Sequence, residues 1–139
     1  MGVSLKKAAS QLLKWNIIGQ KFARAARGDW IIIEDNGKCT ACKIGMVMIG
    51  RYGIELAANY YGGEPGSRLE RTLNYGPLIL CPVSRCKSTD YNDSGLIAGS
   101  FGPKYPLGSI IEHLFEHHKW SVMKIDKWLA ELSEAKVSV

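Results

Sequence analysis

No apolar run in this chain approaches the roughly 20 residues that a membrane-spanning helix needs. The longest candidate, Ile44 to Ile49, is far too short, so the sequence predicts a soluble, cytoplasmic protein. No secretory signal is evident, which places the four cysteines in a reducing compartment where thiols stay free or bind metal. There is no internal repeat and no low-complexity tract. Neither a P-loop nor a dinucleotide fingerprint is present. Met1-Gly2 lacks the Ser or Thr that myristoylation requires, because Lys6 stands there. Acid is missing as well, though only locally: the first 28 residues contain no Asp or Glu.

That last absence makes the charge uneven. The net +5 arises from Lys6, Lys7, Lys14, Lys21, Arg24 and Arg27, which leave 12 basic against 13 acidic side chains in the remainder. Three readings fit a basic N-terminus: a solvated helix face, a contact with nucleic acid or another anionic partner, and an organellar presequence. These six residues are the candidate partner-binding set.

With 139 residues, 46% hydrophobic and 22% charged, the composition is that of one globular domain spanning 1–139. From Ile44 to Ile49 every residue is apolar or glycine. A helix apolar all round belongs in the middle of a domain, and Gly45 and Gly50 remove side chains where a neighbour could press close. A central helix is therefore expected at about 39–52.

Ser4 caps a first helix, about 4–15, with Leu5, Ala8, Ala9, Leu12 and Leu13 on one face and Trp15 closing it. Phe22, Ala25 and Ala26 fit a second short helix. Trp30-Ile31-Ile32-Ile33 is the strongest strand signal, and Asn36-Gly37 is turn chemistry. Ile54 to Tyr61 suits a helical turn or two, and Ser67 to Tyr75 a short exposed helix. Leu78-Ile79-Leu80 reads as a strand or a helix start. A Ser/Asp/Asn/Gly/Pro-rich loop is expected at about 82–106. A helical pair closes the chain at about 107–134, with Ser121 as its second cap. Ile110, Ile111, Leu114 and Phe115 face inward on one helix, and Val122, Ile125, Trp128, Leu129 and Leu132 on the other. The fold class is α+β: a helix-rich domain with a small sheet, a central buried helix and a C-terminal helical hairpin.

Cys42-Lys43-Ile44-Gly45 opening the central helix resembles the "CALGAL" helix of small uncharacterised bacterial and phage proteins. His113-Leu114 through His118-Lys119-Trp120-Ser121 to Ile125 and Trp128-Leu129 resembles their "hLNDdhgWSrexIadWL" ending. The resemblance implies a phage or mobile-element origin and no catalytic activity. This chain adds Cys39, Cys81 and Cys86, and carries Phe115-Glu116 where Asn-Asp is usual.

Three constellations could carry chemistry. Cys39-x2-Cys42 and Cys81-x4-Cys86 could place four thiolates around a tetrahedral structural zinc; free, partly buried thiols and a disulfide are the alternatives. His113-Leu114-Phe115-Glu116-His117 matches the H-x-x-E-H pattern of inverted zinc peptidases, but only 22 residues follow to supply a third ligand. Cys42 at a helix N-terminus could be a nucleophile with one of the histidines as base.

Other patterns are weaker. The closing pair could be a helix-turn-helix, yet Lys124, Asp126, Lys127, Glu131 and Glu134 present more acid than base. The glycine-rich loops at 60–66 and 99–104 could cradle phosphate.

The leading expectation is a non-enzymatic binding protein of phage or mobile-element origin, for a host macromolecule or small ligand, whose four cysteines could hold a structural zinc. The alternatives are a small hydrolase using Cys42 or a His113/His117 metal centre, and a nucleic-acid-binding protein acting through its basic N-terminal helix.

Overall fold

A computed structural model describes residues 3–27, 30–58, 67–83, 86 and 104–134. The expected glycine loop at 60–66, and all but Lys104 of the one at 99–104, lie outside these residues. So does most of the expected 82–106 loop. No described helix is long and apolar enough to cross a membrane.

Helix α1 spans Leu5–Gln20, with the Lys7 N–H donating to Ser4 Oγ at 3.2 Å as its cap. It runs five residues past the expected Trp15 end because Asn16 and Gly19 continue the buried stripe of Ala8, Ala9 and Leu12. The described residues after α1 do not form the expected second short helix at Phe22 to Ala26. Residues Arg24–Ala25 form strand β1, since a stretch this short gains more from sheet pairing than from nucleating a helix.

Strands β2 (Ile31–Ile33) and β3 (Cys39–Ala41) pair antiparallel, with Ile31 opposite Ala41 and Ile33 opposite Cys39. Strand β1 joins β3 in parallel, giving the order β1-β3-β2. The β2–β3 connection is the expected turn. Gly37 adopts φ +85°, and Asn36 Oδ1 accepts the Lys38 N–H at 3.0 Å.

Helix α2 spans Lys43–Tyr52, so the central helix starts four residues later than expected. Its first three expected residues are recruited into β3, and Cys42 is the extended N-cap. Every residue from Lys43 to Ile49 is buried. Helices α1 and α2 meet through reciprocal glycines. A Cβ on Gly19 would lie 2.0 Å from the Met46 carbonyl oxygen, and one on Gly50 would lie 1.8 Å from that of Trp15. Gly45 gives the Trp30 carbonyl the same room, as expected of these glycines.

Helix α3 covers Ile54–Ala58 and α4 covers Arg68–Leu73, the latter capped by Ser67. Helix α4 is not the exposed helix expected: Leu69, Thr72 and Leu73 are buried because it packs against α2 and against the helix at Leu107–Glu116. Strand β4 (Leu78–Leu80) pairs antiparallel with β5 (Lys104–Pro106), which takes the last three residues of the expected loop.

Helix α5 (Leu107–Glu116) and helix α6 (Val122–Glu134) close the chain. Ser121 caps α6 by accepting the Lys124 N–H at 3.1 Å. Ile110, Ile111, Leu114 and Phe115 are all buried, as are Ile125 and Leu129. Helix α6 lies mainly against α1 and touches α5 less. The architecture is α+β, with α2 in the middle and α1, α3, α4 and α5 packed on it.

Candidate metal centre

Helix α5 ends at Glu116, and the chain leaves it through Lys119 in the left-handed region at φ 58°. The Trp120 N–H returns to the Leu114 carbonyl at 3.0 Å. Arg27 holds this turn from outside. Its Nε donates to the Phe115 carbonyl at 2.9 Å, an Nη donates to that of Trp120 at 3.2 Å, and its guanidinium lies 4.6 Å from the Phe115 ring centroid.

The turn brings His118 beside His113, with ring centroids 4.7 Å apart. On a continuous helix, residues five apart point about 140° away from each other, so this pairing needs the helix to stop. Strand β4 delivers the chain to the same place from the other side. Cys81 Sγ lies 3.5 Å from His118 Nε2. Cys86 Sγ lies 3.4 Å from His113 Nε2 and 3.3 Å from His118 Nε2. All four donor atoms lie within 4.8 Å of one another.

These separations suit a tetrahedral ion. Zn–S bonds of about 2.3 Å and Zn–N bonds of about 2.0–2.1 Å put sulfur and nitrogen about 3.6 Å apart across a tetrahedral edge. The three sulfur–nitrogen distances fall within about 0.3 Å of that edge. Cys81, Cys86, His113 and His118 could hold a metal ion. Burial, followed by the neighbouring charge of His117, lowers the His118 pKa, which favours the neutral imidazole that metals take.

The expected four-thiolate set is therefore assembled only in half. Cys39 is buried in β3, its sulfur facing the Thr40 carbonyl. Cys42 groups with Glu112 and Glu116 instead. Cys39 lies in β3 and Cys42 at the α2 N-cap, both in the buried core, and neither belongs to the group that holds Cys81 and Cys86. The H-x-x-E-H reading also shifts by one: His117 is exposed and stacks on His113 at 5.0 Å, while His118 enters the cluster.

The surroundings of Cys42 are those of a structural thiol. It is fully buried, and burial pushes its pKa well up, with Glu112 adding to the effect. Reactive cysteines need the opposite: partial exposure and nearby positive charge. Glu112 is buried too, and desolvation raises its pKa to about 7. Its Oε1 accepts the Ile44 N–H at 3.0 Å, so a side chain from α5 satisfies a donor left open at the start of α2.

Beneath α6 lies a second polar group. Lys43, with no exposed surface, donates to Asp126 Oδ1 at 2.5 Å. Asn16 Nδ2 donates to the same oxygen and Gln20 Nε2 to the other, each at 2.7 Å. Burial outweighs the pull of Asp126 and lowers the Lys43 pKa to about 8.

Of the six basic residues expected to meet a partner, Lys6, Lys7, Lys14, Lys21 and Arg24 are exposed. Arg27 is also exposed in part, but its guanidinium is spent on the α5 turn. Comparison of the chain with protein-family models, with curated proteins and with solved structures yields no match.

Proposed function

We propose that the protein is a non-enzymatic binding domain stabilised by one zinc ion on Cys81, Cys86, His113 and His118. The observations that carry this reading are three sulfur–nitrogen distances of 3.3 to 3.5 Å, close to the edges of a zinc tetrahedron, in a group whose four donor atoms all lie within 4.8 Å. Two thiolates with two imidazoles select zinc over magnesium or calcium, which prefer oxygen. Four protein ligands complete the coordination sphere and leave no position for water or substrate, the mark of a structural site rather than a catalytic one. The ion ties the chain after β4 to the end of α5, elements that are distant in sequence.

The partner surface in this reading is the exposed face of α1. Lys6, Lys7, Lys14 and Lys21 fall within a sector of about 100° on a helical projection, and no acid interrupts them. Such a stripe suits an anionic macromolecule. The metal is tested by elemental analysis and by cobalt substitution. Tetrahedral d–d bands with sulfur-to-cobalt charge transfer support the site; a spectrum without thiolate bands refutes it. Salt-sensitive binding to duplex DNA, lost on Lys7→Glu/Lys14→Glu, would identify nucleic acid as the anionic partner.

A further inference from the structure

A zinc site of two thiolates and two imidazoles, the reading on which this inference rests, can be oxidised at its two sulfurs. Cys81 and Cys86 are four residues from adjacent and both half-buried, and their sulfurs belong to a group whose atoms lie within 4.8 Å of one another. A disulfide needs sulfurs about 2.05 Å apart, so closure requires a movement of less than about 3 Å. The other two cysteines are poor competitors. Cys39 and Cys42 are buried, burial raises both pKa values, and neither belongs to this group.

We propose that the site is a redox-controlled zinc clamp, in which a hydroperoxide converts the Cys81 and Cys86 thiolates to a disulfide and expels the metal. One thiolate attacks the peroxide, the O–O bond breaks, and a sulfenic acid forms. The second thiolate then displaces hydroxide from that sulfur, closing the S–S bond. The two sulfurs lose two electrons in all; hydrogen peroxide takes them with two protons and leaves as two waters. Zinc departs as Zn²⁺, because His113 and His118 alone are two ligands where four are needed. A sulfur without a neighbour would continue to the irreversible sulfinic acid. Here each sulfur has its resolving partner within reach, so the step is reversible by a dithiol reductant.

The loss is mechanical as well as chemical. Both sulfurs sit on the segment after β4, and both histidines sit at the end of α5. A Cys81–Cys86 bond joins that segment to itself and no longer to the helix. The reduced, zinc-bound protein is the clamped state and the oxidised, metal-free protein the released one.

The test uses the full-length, reduced protein loaded with zinc, treated with increasing hydrogen peroxide. Released zinc is followed with a chromophoric chelator, and disulfides are mapped by peptide mass spectrometry. The expected result is one zinc released for each Cys81–Cys86 disulfide, with Cys39 and Cys42 still reduced, and full zinc uptake after dithiothreitol. Zinc retained through oxidation would overturn the proposal. So would release accompanied by sulfinic acids without a disulfide, or a first disulfide that includes Cys39 or Cys42. Zinc content before peroxide tests the metal reading, and its change afterwards tests the switch, so the two failures are told apart. A protein holding no zinc at the outset overturns both.

Discussion

The sulfur of Cys86 lies 3.4 Å from Nε2 of His113, although the two residues are 27 positions apart in the chain. The contact joins the segment after β4 to a helix that the sequence places beyond a long polar stretch. Replacing either residue should uncouple these elements. Cys86→Ala and His113→Ala are each expected to abolish stoichiometric zinc retention and to lower unfolding free energy by several kcal/mol, since metal binding free energy is folding free energy. His117→Ala should keep the zinc and cost less stability than either ligand variant, since His117 stacks on His113 but lies outside the four-residue group. Metal content and chemical denaturation of the three variants check this.

Arg27 is expected to act on the site without touching the metal. Its fork holds the Phe115 and Trp120 carbonyls on either side of His118. Arg27→Ala should cost about 1 kcal/mol of stability and weaken zinc affinity. Arg27→Lys should recover little of either, because an ammonium cannot span two carbonyls as the guanidinium does. Competition with a chelator of known affinity measures the effect.

Gly19 and Gly50 lie at one crossing, each against the backbone of the opposite helix. Gly50→Ala should cost about 3 kcal/mol or more, because the neighbour is a carbonyl that cannot rotate away. The double variant with Gly19→Ala should cost less than the sum, since both changes are relieved by the same separation of α1 and α2. Denaturation midpoints across the four-member cycle decide it.

The Lys43–Asp126 pair should show itself in the alkaline range. Asp126→Ala leaves a buried ammonium and two amides without their acceptor, at a cost of about 3–5 kcal/mol. Lys43 titrates near pH 8 in the folded protein against about 10.5 unfolded. Between these values the unfolded state binds the extra proton. Its contribution to stability therefore rises with pH across that window, by at most about 1.4 kcal/mol per pH unit. Lys43→Met should remove this rise in a stability–pH profile.

Much of the fold was legible from local pattern. The apolar-and-glycine run of α2, the Ser4 and Ser121 caps and the paired apolar stripes of α5 and α6 are near-neighbour signals. Strands β1 and β3 were not, because Arg24–Ala25 and Cys39–Ala41 are strands only through each other and β2. The metal site was half legible. Cys81-x4-Cys86 and His113-x4-His118 both fall within zinc-ligand spacings. Helical periodicity, however, favours His117 as the partner of His113. Only the end of α5 at Glu116 and the left-handed Lys119 bring His118 round. The C-x-x-C pair of Cys39 and Cys42 does not enter the cluster: Cys39 lies in β3 and Cys42 at the α2 N-cap, and both are buried in the core.

The most direct test is the zinc content of purified protein, measured by elemental analysis alongside the rate at which native thiols react with a disulfide reagent. One zinc per chain is expected, with Cys81 and Cys86 protected until a chelator is added and Cys39 and Cys42 until the protein unfolds. A metal-free protein that gains no zinc on incubation, and whose Cys81 and Cys86 react at once, would contradict the clamp.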